Sequence, residues 1–148
     1  MARRALVLLS FLALAALLVA ALLRLERLPE GPVPVAWDRT ACAHCHMHVG
    51  EPAFAAQLQT KDGAVLHFDD PGCLLLHLEK EAREIHAIYF RHLREDRWIP
   101  ADRVAFVEAS PTPMGHGLGA VDAGDAGAIG FEAARRRVRG GRHAGGTP

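Results

Sequence analysis

At 148 residues the chain is long enough for one domain or two small ones, and an apolar half permits a real core. Lysine and arginine total 17 against 17 aspartates and glutamates, and no basic patch interleaved with aromatics occurs in mid-chain, which argues against nucleic acid as a partner. Three cysteines in an exported chain would be too few for a disulfide scaffold.

The first element is an uncharged run, ALVLLSFLALAALLVAALL, from Ala5 to Leu23, preceded by Arg3 and Arg4 and closed by Arg24. It exceeds the roughly 7 to 15 residues of a signal-peptide core and approaches the ~20 that span a bilayer. It is apolar on every face, unlike a helix on a protein surface. Residues 1–28 are therefore read as a transmembrane anchor or uncleaved signal, and the remainder as exported. Residues 29–36 are rich in proline and predict a short extended tether.

The folded part spans residues 37–138. Ala53 to Thr60 and Ala64 to Phe68 flank Lys61-Asp62-Gly63, an Asp-Gly hairpin signal. A helix follows from Pro71 to Arg83, with Asp70 as cap, Pro71 at the first helical position, and Leu74, Leu75, Leu78 and Ala82 on one face. Ile85 to Leu93 and Arg103 to Glu108 read as the next strands, with Trp98-Ile99-Pro100 interrupting regular pairing between them. A loop, ASPTPMGHGLGAVDAG, leads into a last helix from Asp125 to Arg137, which Gly127 and Gly130 weaken. Two consecutive strand, strand, helix units make an α+β architecture around a shared core. The arginine-rich run from Arg135 reads as a solvated basic tail, disordered over residues 139–148.

The chemistry concentrates in ACAHCHMHVG, Ala41 to Gly50, which holds Cys42, His44, Cys45, His46, Met47 and His48. If the stretch is extended, Cys45 and Met47 share one face and the histidines the other; if Cys42 to Cys45 turns tightly, both thiols converge as in a metal knuckle. Zinc normally takes a second such pair, which is absent. Copper(I) is soft and accepts two or three thiolate or thioether donors, so a cysteine with one or two methionines suffices. Met114, in the proline- and glycine-rich Thr-Pro-Met-Gly-His-Gly, is the other methionine of interest, and His44 and His116 are additional candidate donors.

The same atoms fit two competing uses. Cys42, Cys45 and His46 satisfy the C-x-x-C-H pattern of covalent haem attachment, with Met114 as distal ligand, although the strands downstream are unlike a helical haem domain. Cys42 and Cys45 also suit a thiol-disulfide oxidoreductase, without the βαβ setting expected for one. Cys73 stands at a helix start beside Leu74 to Leu76 and reads as a buried structural cysteine. Asp69 and Asp70 are accounted for by helix capping, and His67, His77, His86 and His92 by surface or satisfied core positions. No nucleophile, base and orienting acid converge at a recognisable spacing, so no enzyme is expected.

Taken in order, CAHCHM, Ala56-Gln57, Asp62-Gly63, Phe68-Asp69-Asp70, Gly72-Cys73 and Pro113-Met114-Gly115 resemble the NosL family, accessory proteins of nitrous oxide reductase assembly. The resemblance runs from about Thr40 to Val138. It implies two related ββα-type halves and a membrane-tethered periplasmic protein. Such a protein binds Cu(I) and supplies it to nitrous oxide reductase together with the membrane transporter complex of that system. A mechanism consistent with the residues and the resemblance uses Cys45 as anionic anchor with Met114 and Met47 as thioether donors. Cys42 either strengthens the site or pairs with Cys45 in a disulfide that switches it off, and His46 is an added imidazole donor. Two features depart from the family pattern: His46 stands where the family carries glycine, and no cysteine marks a lipid-modified N-terminus.

Overall fold

The computed structural model describes residues 2–25 and 28–144, with the side chains of residues 2–6, 8, 10, 22–25 and 142–144 outside the described set. Helix α1 covers Ala2–Leu25. Its apolar side chains from Phe11 to Val19 are exposed. Among the described residues no helix is long and apolar enough to cross a membrane. The expected anchor over residues 1–28 lies partly outside those residues.

Two antiparallel sheets and two further helices form a small α+β fold. The predicted hairpin is present as β1 (Ala56–Thr60) and β2 (Val65–Phe68), and Gly63 at φ 89° supplies the left-handed backbone its turn needs. A short 3-10 turn, Pro52–Phe54, occupies the start of the strand expected from Ala53. Helix α2 begins as expected, with Asp70 capping Gly72 N–H at 2.7 Å and Pro71 in the first turn. It covers only Pro71–His77. Beyond it, the Glu81 carboxylate accepts the Arg83 backbone N–H at 2.9 Å as well as its guanidinium, a local turn that replaces helix up to Arg83.

Strand pairing departs from the expected second unit. Strand β3 (Ile85–Arg91) returns to pair with β1, and Trp98–Pro100 is itself a strand, β4, at the edge beside β3. Pro100 at the end of an edge strand removes no ladder donor that a neighbour requires. The first sheet is thus ordered β2-β1-β3-β4. Strand β5 (Val104–Glu108) belongs to a second sheet, ordered β6-β5-β7, with β6 (Leu118–Asp122) and β7 (Ile129–Gly130) emerging from the segments expected to be loop and helix. Two sheets of unequal size stand in place of two consecutive strand-pair units: α2 falls between β2 and β3 of the first, and α3 follows β7 of the second.

The core is shared. Phe90 on β3 meets Phe106 on β5 edge to face, centroids 5.1 Å apart, and Phe131 packs against both. Leu93 N–H donates to Ala120 O at 2.7 Å, and a Cβ on Gly119 would stand 2.6 Å from the Leu93 side chain, so a side chain at 119 would have to displace Leu93. Helix α3 runs Phe131–Ala144 and buries Ala134 and Val138, one turn apart. Gly127 at φ 76° and Gly130 in β7 delay its start from the expected Asp125. The residues expected to be tail are helical to Ala144, held in part by Arg135 and Arg139 on Glu79, while 145–148 lie outside the described residues.

The tether is also more fixed than its composition suggests. Buried Gln57 receives Val33 N–H at 2.8 Å and donates to Val33 O at 2.9 Å, and Gln59 donates to Gly31 O at 2.7 Å. The His86 ring meets Pro29 O at 3.1 Å.

Candidate metal centre

The ligand-rich stretch folds as the tight turn, not the extended segment. An isolated bridge pairs Ala41 with His48, and inside it Cys42 N–H donates to Met47 O at 2.7 Å and His46 N–H to Cys42 O at 3.0 Å. His46 takes φ 65°, a left-handed conformation that favours glycine. Ala43 N–H donates to His67 O at 2.9 Å, docking the turn on β2. The turn therefore sits at the end of the β1–β2 hairpin from which α2 departs.

Two adjacent aspartates lock that end. Asp69 Oδ1 accepts Gly50 N–H at 3.0 Å, fixing the exit of the cysteine turn, and burial raises its pKa. Asp70 is fully buried; one carboxylate oxygen caps α2 and the other accepts Met114 N–H at 3.2 Å. The Thr112–Gly117 loop is thereby tied to the start of α2, and Gly115 and Gly117, at φ 70° and 71°, give it the turns it needs. Helix capping alone understates both aspartates, because each also holds a loop.

The result is a cluster of three thiols. The sulfurs of Cys42, Cys45 and Cys73 all lie within 4.8 Å of one another, and none forms a disulfide. Cys42 and Cys73 are fully buried and Cys45 is half-buried. A hydrogen bond from the Cys73 thiol favours the Cys42 thiolate and pulls its pKa down to about 4, against the cost of burial. The same bond pushes the Cys73 pKa up, aided by burial, and Cys45 is raised by burial. Binding a soft ion displaces the remaining thiol protons of the cluster.

Cys42 and Cys45 converge as the turn alternative required, and Cys73, read from sequence as an inert core cysteine, completes the group. It is buried among leucines as expected, yet its sulfur faces the other two. The hairpin was the available signal: Cys73 follows β2 directly, and the cysteine turn, upstream of β1, docks on the same end through Ala43 N–H to His67 O. Of the remaining candidates, His46 and Met47 are exposed, Met47 at 60%, and Met114 is 38% exposed. These three lie on the rim, not in the buried group. His44 is half-buried, its ring 6.3 Å from that of His77. His116 approaches the cluster, with Nε2 4.0 Å from Cys73 Sγ.

Two further histidines are engaged elsewhere. His77 contacts Glu81 at 3.4 Å, and buried His92 accepts the Arg94 and Glu95 N–H groups through Nδ1. No known protein family, curated protein or solved structure matches the chain.

Proposed function

We propose that the protein is a soft-metal carrier whose cargo is Cu(I), held by Cys42, Cys45 and Cys73. The observation that carries this reading is the convergence of three sulfurs, two of them buried and one reachable from solvent. Thiolates select Cu(I) over hard cations, and three of them satisfy it without a fourth donor. Two buried sulfurs retain the ion; half-buried Cys45 is where an incoming ligand begins exchange. Met47, Met114 and His46 on the rim are neutral donors suited to passing the ion outward without releasing it to water.

The client in this reading is nitrous oxide reductase, reached with its membrane transporter complex, and α1 is the single-pass anchor on the periplasmic side of the membrane. Both rest on the NosL resemblance. The backbone at His46 supports it, since the family carries glycine at a position that here takes a glycine-favouring φ.

The arrangement disfavours the competing uses. Haem attachment needs the Cys42 sulfur turned out to a porphyrin, whereas it is fully buried against Cys73. A thiol-disulfide exchanger presents its attacking thiol to solvent at a helix N-terminus, whereas here Cys42 is fully buried, Cys45 is half-buried and both lie in a turn.

Anaerobic Cu(I) titration of the full chain in detergent, against a competing chelator, tests the reading. One copper per chain is expected, held natively and lost on denaturation. Cys45→Ser or Cys73→Ser is expected to abolish tight binding. Unchanged binding in both variants refutes the site, and a covalent haem-sized mass that survives denaturation replaces it with the cytochrome reading.

A further inference from the structure

The three sulfurs do not exhaust the donors at this end of the fold. His116 Nε2 lies 4.0 Å from Cys73 Sγ. The imidazole occupies the space where any side chain at position 72 would begin: a Cβ on Gly72 would stand 2.3 Å from its Cγ. The ring therefore rests directly on the backbone of α2, one residue from Cys73. The Asp70 bond to Met114 N–H fixes the loop that carries it.

Three cysteines and one histidine are a donor set of structural zinc sites. A tetrahedral ion with metal–sulfur bonds of about 2.3 Å and metal–nitrogen bonds of about 2.0 Å sets its sulfurs ~3.8 Å apart and sulfur from nitrogen ~3.5 Å. The three sulfurs, within 4.8 Å of one another, reach their spacing by closing in by about an ångström. His116 Nε2, now 4.0 Å from Cys73 Sγ, reaches its spacing from that sulfur by about half an ångström. It stands outside the 4.8 Å group the sulfurs form, so meeting the others takes a further swing of the ring. A cavity of about 270 Å³, lined by Gly115, His116, Arg137, Val138 and Gly141, opens beside the ring and gives it room to withdraw. The guanidinium of Arg137 in that cavity offers only donors and does not compete for a cation.

We propose that His116 is a conditional fourth ligand: it closes on divalent ions of tetrahedral preference, zinc above all, and stands aside when the three thiolates hold Cu(I). The proposal rests on the reading that the thiol cluster binds metal. It adds that the same site accepts a second class of ion through one identifiable side chain. Coordination number, set by whether the imidazole joins, then separates the two ions.

Co(II) is the probe, added anaerobically to the full chain in detergent, with Zn(II) and Cu(I) titrated in parallel. The wild type is expected to show intense tetrahedral Co(II) absorption at one ion per chain, displaced by Zn(II). His116→Ala is expected to lose that spectrum and weaken Zn(II) by about 100-fold, a direct donor lying at or above the upper range for supporting residues. Cu(I) affinity is expected to stay within about 3-fold, since three thiolates suffice for it, and His116→Cys is expected to restore Zn(II) binding. The nitrogen resonance of His116 in the wild type, expected to move with Zn(II) but not with Cu(I), gives a readout that no folding defect in a variant affects. Unaltered Co(II) spectra and Zn(II) affinity in His116→Ala, or an unmoved resonance, overturn the fourth ligand. Cu(I) binding without Co(II) or Zn(II) binding also overturns it and leaves the thiol site standing. Failure of the wild type to bind any of the three overturns both.

Discussion

The cysteine turn and the start of α2 face each other across the open end of one hairpin, and they distribute their chemistry in opposite ways. The turn carries six potential ligands in a few residues, yet His46, Met47 and His48 point outward. The segment from Phe68 to Cys73 looks like an ordinary capped helix start, yet it is buried throughout and supplies a sulfur, two loop-fixing carboxylates and a glycine that seats an imidazole. Local density of donors sets where an ion first meets the protein. Convergence of a few buried donors from separate segments sets where it stays.

That contrast predicts an asymmetric mutational response. Cys73→Ser is expected to weaken Cu(I) by at least ~100-fold in a chelator competition, whereas Met47→Leu, on the ligand-rich side, changes equilibrium affinity by less than about 3-fold and slows transfer instead. Equal effects on affinity would erase the distinction between rim and centre. Next in size, Asp70→Ala removes a cap and leaves the Met114 N–H without its partner; urea denaturation of the metal-free chain is expected to show a loss of about 2–3 kcal/mol. A change under 1 kcal/mol would mean that the carboxylate does not hold the two loops together.

A smaller effect separates His46 from the ligands. His46→Gly relieves a left-handed backbone at a non-glycine residue, partly offset by unfolded-state entropy, for a gain of about 0.5–1 kcal/mol with Cu(I) binding intact. Lost binding would return His46 to the ligand set. The smallest effect concerns pH. Burial lowers the pKa of His67, whose Nδ1 lies 3.3 Å from Gln57 Nε2. The folded chain keeps this ring neutral where the unfolded chain protonates it, near pH ~6.5. Stability from this group is complete above that pH and is lost as pH falls through the lower folded pKa. Urea midpoints measured from about pH 8 down to about pH 5 should fall less steeply in His67→Phe, and identical slopes would discard the assignment.

Elements announced by local chemistry were legible in the sequence. Asp62-Gly63 marked the hairpin and Asp70-Pro71 marked the start of α2, because turn and cap preferences act within a few residues. Strands β4, β6 and β7 were not legible: Trp98–Pro100 has three residues, Leu118–Asp122 contains a glycine packed against Leu93, and Ile129–Gly130 has two. Each exists because a neighbour offers an edge, which is tertiary information. The site divided in the same way. The turn over Cys42 and Cys45 was visible as one of two alternatives, while the role of Cys73 depended on following the hairpin back to its open end.

The hydrogen bonds from Gln57 and Gln59 to the proline-rich segment carry a mechanical consequence. A free leash lengthens its reach with roughly the square root of its residue count and lets its load tumble. Residues 31 to 33 instead form a bracket, with glutamines two apart on β1 gripping backbone groups two apart on the arriving chain. Deleting one residue there would misalign the grip instead of trimming a spacer. The bracket passes any pull on the chain at Val33 into β1, the central strand that carries both β2 and β3, and so into the body of the fold.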